Sequence, residues 1–314
     1  MIVSIVGNWN SVKKSHRQYL EKKIDKFLRR NVIHHGPPLP AYCFIRQAKA
    51  DILSDSHGDL KRSIRLYLSY ISNLTPVEAE LFNVMLNKLF NYDGFTSKEG
   101  AWNAYSLCGA SPSRTCPYCN QAFAFTVTGT KLSYRPTLDH YYSQEHYPHL
   151  ALTLSNLVPS CYACNSSLKG RADFYTAPHL HPLFDKENIE FDLVHPDKSV
   201  IDIRAEFESV KHELIVKARA MTDCKKTDSS LSTFLVNERY LQSSIEAVKF
   251  AKAKISFDTD VLSLLTFPRK TLESEILQFH PSDYRGSILG KMYESIYREL
   301  ERTKSKLRSP VVRD

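Results

Sequence analysis

Cys116-Pro117-Tyr118-Cys119, then Leu138-Asp139-His140, then Ser155-Asn156-Leu157-Val158-Pro159-Ser160-Cys161-Tyr162-Ala163-Cys164-Asn165-Ser166-Ser167-Leu168-Lys169-Gly170 decide how the rest of the chain is read. Each C-x-x-C pair places two sulfurs on one tight turn, and 41 residues separate the pairs. Two such turns can give one ion tetrahedral four-thiolate coordination, a closed site of the structural zinc type. Cys116, Cys119, Cys161 and Cys164 are therefore the expected Zn²⁺ ligands. A redox role for either pair is the alternative. A metal clamp over these segments would hold the strand that Asp139 follows together with the helix near whose start Asn165 lies, so that Asp139, His140 and Asn165 come close in space.

That juxtaposition has its own chemistry. Asp139 and Asn165 offer hard oxygen donors suited to Mg²⁺ or Mn²⁺ rather than to a thiolate site. His140 can accept a proton near neutral pH, and Lys169 can face a phosphate. Together these groups suit hydrolysis of a phosphodiester.

The combined string, with Tyr147-Pro148-His149-Leu150 in its middle, resembles the HNH endonuclease family with its ββα-metal fold, over roughly residues 115–171. The resemblance implies that His140 is the general base. It makes Asn156 the middle position, which orders the loop, and Asn165 the third position and a metal ligand. Asp139 becomes the carboxylate on the catalytic ion, and the four cysteines a structural zinc knuckle. It also implies a nucleic-acid substrate, DNA before tRNA or other RNA, cut to 5′-phosphate and 3′-hydroxyl ends. One departure stands out. Many members carry a Gly-rich loop after the Asp-His pair, where this chain has the bulkier Tyr141–His149 segment. The flanks Trp102-Asn103-Ala104-Tyr105 and His181-Pro182-Leu183-Phe184-Asp185 resemble a bacterial HNH subgroup. Its members include antiphage nucleases paired with an ATPase, as in Septu-type and some retron systems, which implies an ATPase partner. The rival from another class is a non-catalytic zinc-ribbon module that binds nucleic acid or protein. Such a ribbon has no need of Asp139, His140 and Asn165 together.

The 314 residues are 42% hydrophobic, ordinary for a globular chain. A net charge of +8 favours a polyanionic partner. The odd count of seven cysteines and the absence of a secretory pattern at MIVSIVGNW argue for metal ligation over disulfides and for a cytoplasmic protein. No apolar run is long enough to span a bilayer.

The expected architecture is α+β, with a helical N-terminal region (1–100), a nuclease module (101–185) and a mainly helical C-terminal region (186–314). Periodicity predicts a short strand at Ile2–Val6 and a basic amphipathic helix over Ser11–Arg30. A break at Gly36–Pro40 precedes helices over Gly58–Asn73, Pro76–Phe90 and Glu99–Leu107. A hairpin follows, Ala122–Val127 with Lys131–Leu138 around Thr128-Gly129-Thr130, then an extended segment Ser155–Pro159 and a helix from Cys161 to Arg171. Beyond these come an extended stretch Ile189–Ile203, helices over Phe207–Ala220, Leu231–Ile255 and Ser287–Leu307, and a basic, frayed tail Lys304–Asp314.

Overall fold

A computed structural model describes residues 1–32, 39–197, 199, 214–258 and 269–308. Mixed helices and short antiparallel strands make the chain α+β. It divides into two compact units. One comprises residues 4–113 and 124–185, the other residues 1–3, 114–123 and 186–314.

In the first unit, α1 (Lys13–Arg30), α2 (Pro40–Ile52), α3 (His57–Ile71) and α4 (Pro76–Leu89) are followed by the short α5 (Tyr92–Thr96) and α6 (Ala104–Gly109). Helix α2 was not foreseen; Pro40 opens it at the first turn, where its missing N–H costs nothing. Helix α4 begins as predicted, because Thr75 and Glu78 cap each other reciprocally. The helix expected at Glu99 starts only at Ala104. Asn103 accepts from the Tyr105 and Ser106 amides while its own amide donates to the Lys98 and Gly100 carbonyls, so residues 98–103 are held as a loop. Phe44 lies edge-on to Tyr67, Tyr70 and Phe82 between α2, α3 and α4, and burial of Phe44, Tyr67 and Phe82 stabilises this packing.

β1 (Val127–Thr128) and β2 (Ser133–Tyr134) form the expected hairpin, shortened, with the turn at 129–132. Gly129 is required there, since a Cβ would lie 2.6 Å from the Leu132 carbonyl oxygen. β3 (Thr137–His140) pairs antiparallel with β4 (Leu157–Ser160), Asp139 opposite Val158 and His140 opposite Leu157. The predicted Cys161–Arg171 helix is a π-helix, Ala163–Lys169, closed by Gly170.

In the second unit, β5 (Ile189–Val194) pairs antiparallel with β6 (Ile215–Ala220). The helix expected over Phe207–Ala220 is therefore wrong where it can be seen: Val216 and Ala218 are buried and Lys217 and Arg219 exposed, a period of two. Arg219 bonds Glu190 and Asp192 on the facing strand. The stretch expected over Leu231–Ile255 is three helices, α7 (Lys225–Thr233), α8 (Val236–Leu241) and α9 (Ser244–Asp258). Leu235, at φ +46°, breaks the first from the second. α10 (Arg269–Leu277) and α11 (Gly290–Arg308) complete the unit. Lys254, buried on α9, meets Asp258, Glu273 and Glu301 at 2.5–2.9 Å, which offsets the cost of burying its charge. Residues 2–6 form no strand. The Gly36–Pro38 break, the end of the 189–203 stretch, the start of the 207–220 segment and the last six residues lie outside the described residues.

Candidate active site

The β3–β4 hairpin presents Asp139 and His140 at the end of β3, and the π-helix brings Asn165 and Lys169 to the same place. All four line a cavity of about 420 Å³, shared with Tyr92, Arg135 and Arg171. A π-helix fits this duty, because the wider turn, seen in the Gly170 N–H donating to the Asn165 carbonyl, moves side chains off the ordinary helical register.

His140 is 7% exposed, and its Nε2 lies 2.9 Å from the Ala151 carbonyl oxygen. A carbonyl only accepts, so Nε2 carries the proton and Nδ1 keeps its lone pair. Tyr92 stands edge-on to the ring, centroids 4.4 Å apart. Burial lowers the pKa of His140 to about 4, against the opposing effect of the Ala151 bond, so the imidazole is neutral at pH 7.

Asp139 is 1% exposed. Lys169, expected to face phosphate, is buried instead. Its Nζ lies 2.6 Å from Asp139 Oδ1, also donates to the His140 carbonyl, and sits 5.0 Å from the centre of the Phe174 ring. Two other cations on the cavity wall, one of them exposed, come from residues that motif spacing did not single out. Arg171 is open to solvent with Glu145 3.1 Å away, and half-buried Arg135 packs on the Tyr105 ring. Arg171 follows the Gly170 that ends the motif, which is the one sequence cue to it; nothing in the sequence points to Tyr92.

Asn156 is fully buried and never reaches the cavity. Its Oδ1 accepts from the Tyr142 amide at 2.8 Å, and its Nδ2 donates to the Tyr142 and Leu150 carbonyls at 3.0 and 3.2 Å. Those bonds tie down the bulky loop after His140. Within it His149 is a core residue, stacked on Tyr67 and edge-on to Phe44, whereas His146 is exposed. The His181–Asp185 segment closes on itself, Asp185 Oδ2 accepting from the His181 amide at 2.9 Å. Trp102 donates to His16 Nδ1 at 3.2 Å.

Cys116, Cys119, Cys161 and Cys164 have their sulfurs within 4.8 Å of one another. A zinc ion at about 2.3 Å from each would need them roughly 4 Å apart, so the donor set and its spacing fit structural zinc. Both turns are shaped for thiolates. Cys119 Sγ accepts from the Gln121 amide and Cys161 Sγ from the Cys164 amide. Asn120 holds the first turn at φ +52°, its side chain bonded to Thr115, Ser287 and the Lys291 amide. That left-handed residue was not singled out from the sequence, although Asn after C-x-x-C is the type that tolerates it.

Comparison with known proteins agrees with this geometry. Residues 116–171 match the family model described as HNH endonuclease, so the chain carries an HNH endonuclease domain. A similar curated protein is Protein ea31 of Escherichia phage lambda, 28% identical over 162 residues, which are 51% of this chain and 49% of that protein. The chain thus spans about half the length of this relative. No solved structure matches. No helix among the described residues is long and apolar enough to cross a membrane.

Proposed function

We propose that the protein is a divalent-ion-dependent nuclease that hydrolyses phosphodiester bonds of DNA in the cavity lined by Asp139, His140 and Asn165. The observation that carries this reading is the 2.9 Å approach of His140 Nε2 to the Ala151 carbonyl, which leaves Nδ1 as the acceptor. With Nε2 committed to Ala151, the basic Nδ1 belongs to a residue that shares a cavity wall with a carboxylate and an amide. His140 takes the proton from the attacking water, whose oxygen bonds phosphorus as the 3′ oxygen leaves. The Ala151 bond and the Tyr92 edge fix the ring for that transfer. Lys169 fixes the Asp139 carboxylate. Arg135 and Arg171 offer charge to the phosphates on either side. Asp139 and Asn165 would hold Mg²⁺ or Mn²⁺, which when bound supplies charge stabilisation to the phosphate and leaving oxygen. One Zn²⁺ on the four cysteines would be structural.

Purified protein with Mg²⁺ or Mn²⁺ should cut plasmid DNA, and cleavage should vanish with EDTA. His140→Ala should lower the rate by about 10²–10⁴-fold, the usual worth of a general base. Parallel assays on single-stranded DNA and tRNA decide the substrate. A folded, zinc-loaded protein that cuts none of them overturns the reading in favour of a non-catalytic zinc module. That rival is favoured by one observation, the Lys169 charge already balancing Asp139. An antiphage role beside an ATPase extends the proposal, with the 102–105 and 181–185 flanks as its support. Full activity alone, with no ATPase co-purifying from the native host, removes that extension.

A further inference from the structure

Helix α1 carries exposed cations that no described residue neutralises. Lys14, Arg17, Lys22, Lys26, Arg29 and Arg30 are all exposed, and none makes an ion pair among the described residues. The two acids of the helix, Glu21 and Asp25, are engaged by Lys49 Nζ on α2, at 3.5 and 2.7 Å. From Lys14 to Arg30 the exposed cations span about 24 Å at 1.5 Å per residue.

This pattern works against the helix itself. Lys22 and Lys26, and Lys26 and Arg30, are like charges one turn apart, which destabilises a helix. Lys13 and Lys14 sit in the first turn against the positive end of the dipole, with no acid there and no side-chain cap from Val12. Acids stand one turn from Arg17 and Arg29, but Lys26 has only cations three and four residues away, Lys22, Lys23, Arg29 and Arg30, where a Glu would add stability. An external polyanion would relieve the repulsion.

We infer that the exposed face of α1 is a docking surface for the sugar-phosphate backbone of duplex DNA, a reading that rests on the nucleic-acid substrate proposed above. Duplex is favoured over single strand because no exposed residue of α1 is aromatic. Tyr19 and Phe27 are half-buried, and Lys23 is folded over the Tyr19 ring at 5.4 Å, so the face lacks a platform for stacking bases. DNA is favoured over RNA because it is the substrate proposed above for the cavity of the same unit.

The test is equilibrium binding of the full, zinc-loaded chain in buffer without Mg²⁺ or Mn²⁺, where nothing is cut, to fluorescent duplex DNA, single-stranded DNA and duplex RNA across a salt series. The parent is compared with Lys14→Gln/Lys22→Gln/Lys26→Gln and with a control of equal charge loss at exposed sites elsewhere, Lys88→Gln/Lys217→Gln/Lys249→Gln. Each lost phosphate contact lowers the slope of log K against log salt by about 0.9. The α1 variant should therefore lose about 2–3 from its slope and at least about tenfold in duplex DNA affinity, with the control unchanged. Lys14→Arg/Lys22→Arg/Lys26→Arg should keep both. Equal losses in α1 and control variants, or a loss in the Arg variant as large as in the Gln variant, overturn the docking face. Tighter binding of single strands or duplex RNA overturns the assignment to duplex DNA. Slope loss without any Mg²⁺-dependent cleavage by the parent would instead sink the nuclease reading and leave the face standing.

Discussion

Lys169 and Asp139 form an ion pair in which both side chains are 2% exposed. Breaking such a pair from one side leaves a buried charge alone, at a typical cost of about 3–5 kcal/mol. Lys169→Met should lower stability by about that amount in denaturant titration, and Mg²⁺ or Mn²⁺ should restore part of it by taking the place of the lost cation at Asp139. No recovery with either ion would argue against Asp139 as an ion ligand. Asn156→Ala removes three hydrogen bonds at a site with no exposure. At about 1 kcal/mol each it should cost about 3 kcal/mol and reduce cleavage, although the side chain is remote from the reacting atoms. Unchanged kinetics at a temperature where the variant is folded would show that the loop after His140 does not position the centre.

At the scale of elements, the HNH region is built from short pieces, four residues each in β3 and β4 and seven in the π-helix. Structural zinc contributes on the order of 10 kcal/mol or more to domains of this kind. Stripping it with a strong chelator should release one Zn²⁺ per chain and abolish the cooperative melting transition of the HNH region. Cys161→Ser, the half-exposed ligand, should do the same at lower chelator concentration. Retention of full stability without bound metal would remove zinc from the fold. Helix α4 offers a quieter check. Thr75→Ala should cost about 1 kcal/mol, because it deletes one side of the capping box. That cap was legible in the sequence because its partners are three residues apart. The breaks between α7, α8 and α9 were not, because neither Gly nor Pro marks them and Leu235 is held in a left-handed conformation by its surroundings.

Taken across the molecule, stability should depend on pH through histidines buried uncharged. His16 is held between the Leu152 carbonyl, at 2.8 Å, and the Trp102 indole. Burial lowers its pKa to about 4, with nearby Asp55 opposing weakly. His149, packed against Tyr67, Phe44 and Ser63, is lowered to about 3 by burial alone. Both folded values lie below the unfolded 6.5, so the unfolded chain binds more protons in acid. Their stabilisation is complete above about pH 6.5 and falls as pH drops toward 4 and 3, by about 1.4 kcal/mol per pH unit for each. A melting temperature that declines steeply from pH 6.5 to 4 is expected, and His149→Phe should flatten that decline by one proton's share. An unchanged slope in the variant would mean that His149 does not stay neutral in the folded protein.

The sequence by itself determined the HNH domain and the donors available to it. The four cysteines and Asp139, His140 and Asn165 could be picked out because ligands and proton acceptors depend on residue type and close spacing, which a one-dimensional string preserves. The tertiary structure alone decided what those residues are free to do. Burial turned Lys169 from a phosphate contact into the counter-ion of Asp139, and the Ala151 carbonyl chose which His140 nitrogen is basic. It also settled that residues 215–220 pair as a strand, since a short apolar run satisfies a period of two or of 3.6 until a neighbour such as β5 fixes one. Dielectric environment, hydrogen-bond partner and strand register are properties of what surrounds a residue, and the chain assembles those surroundings from segments far apart in sequence.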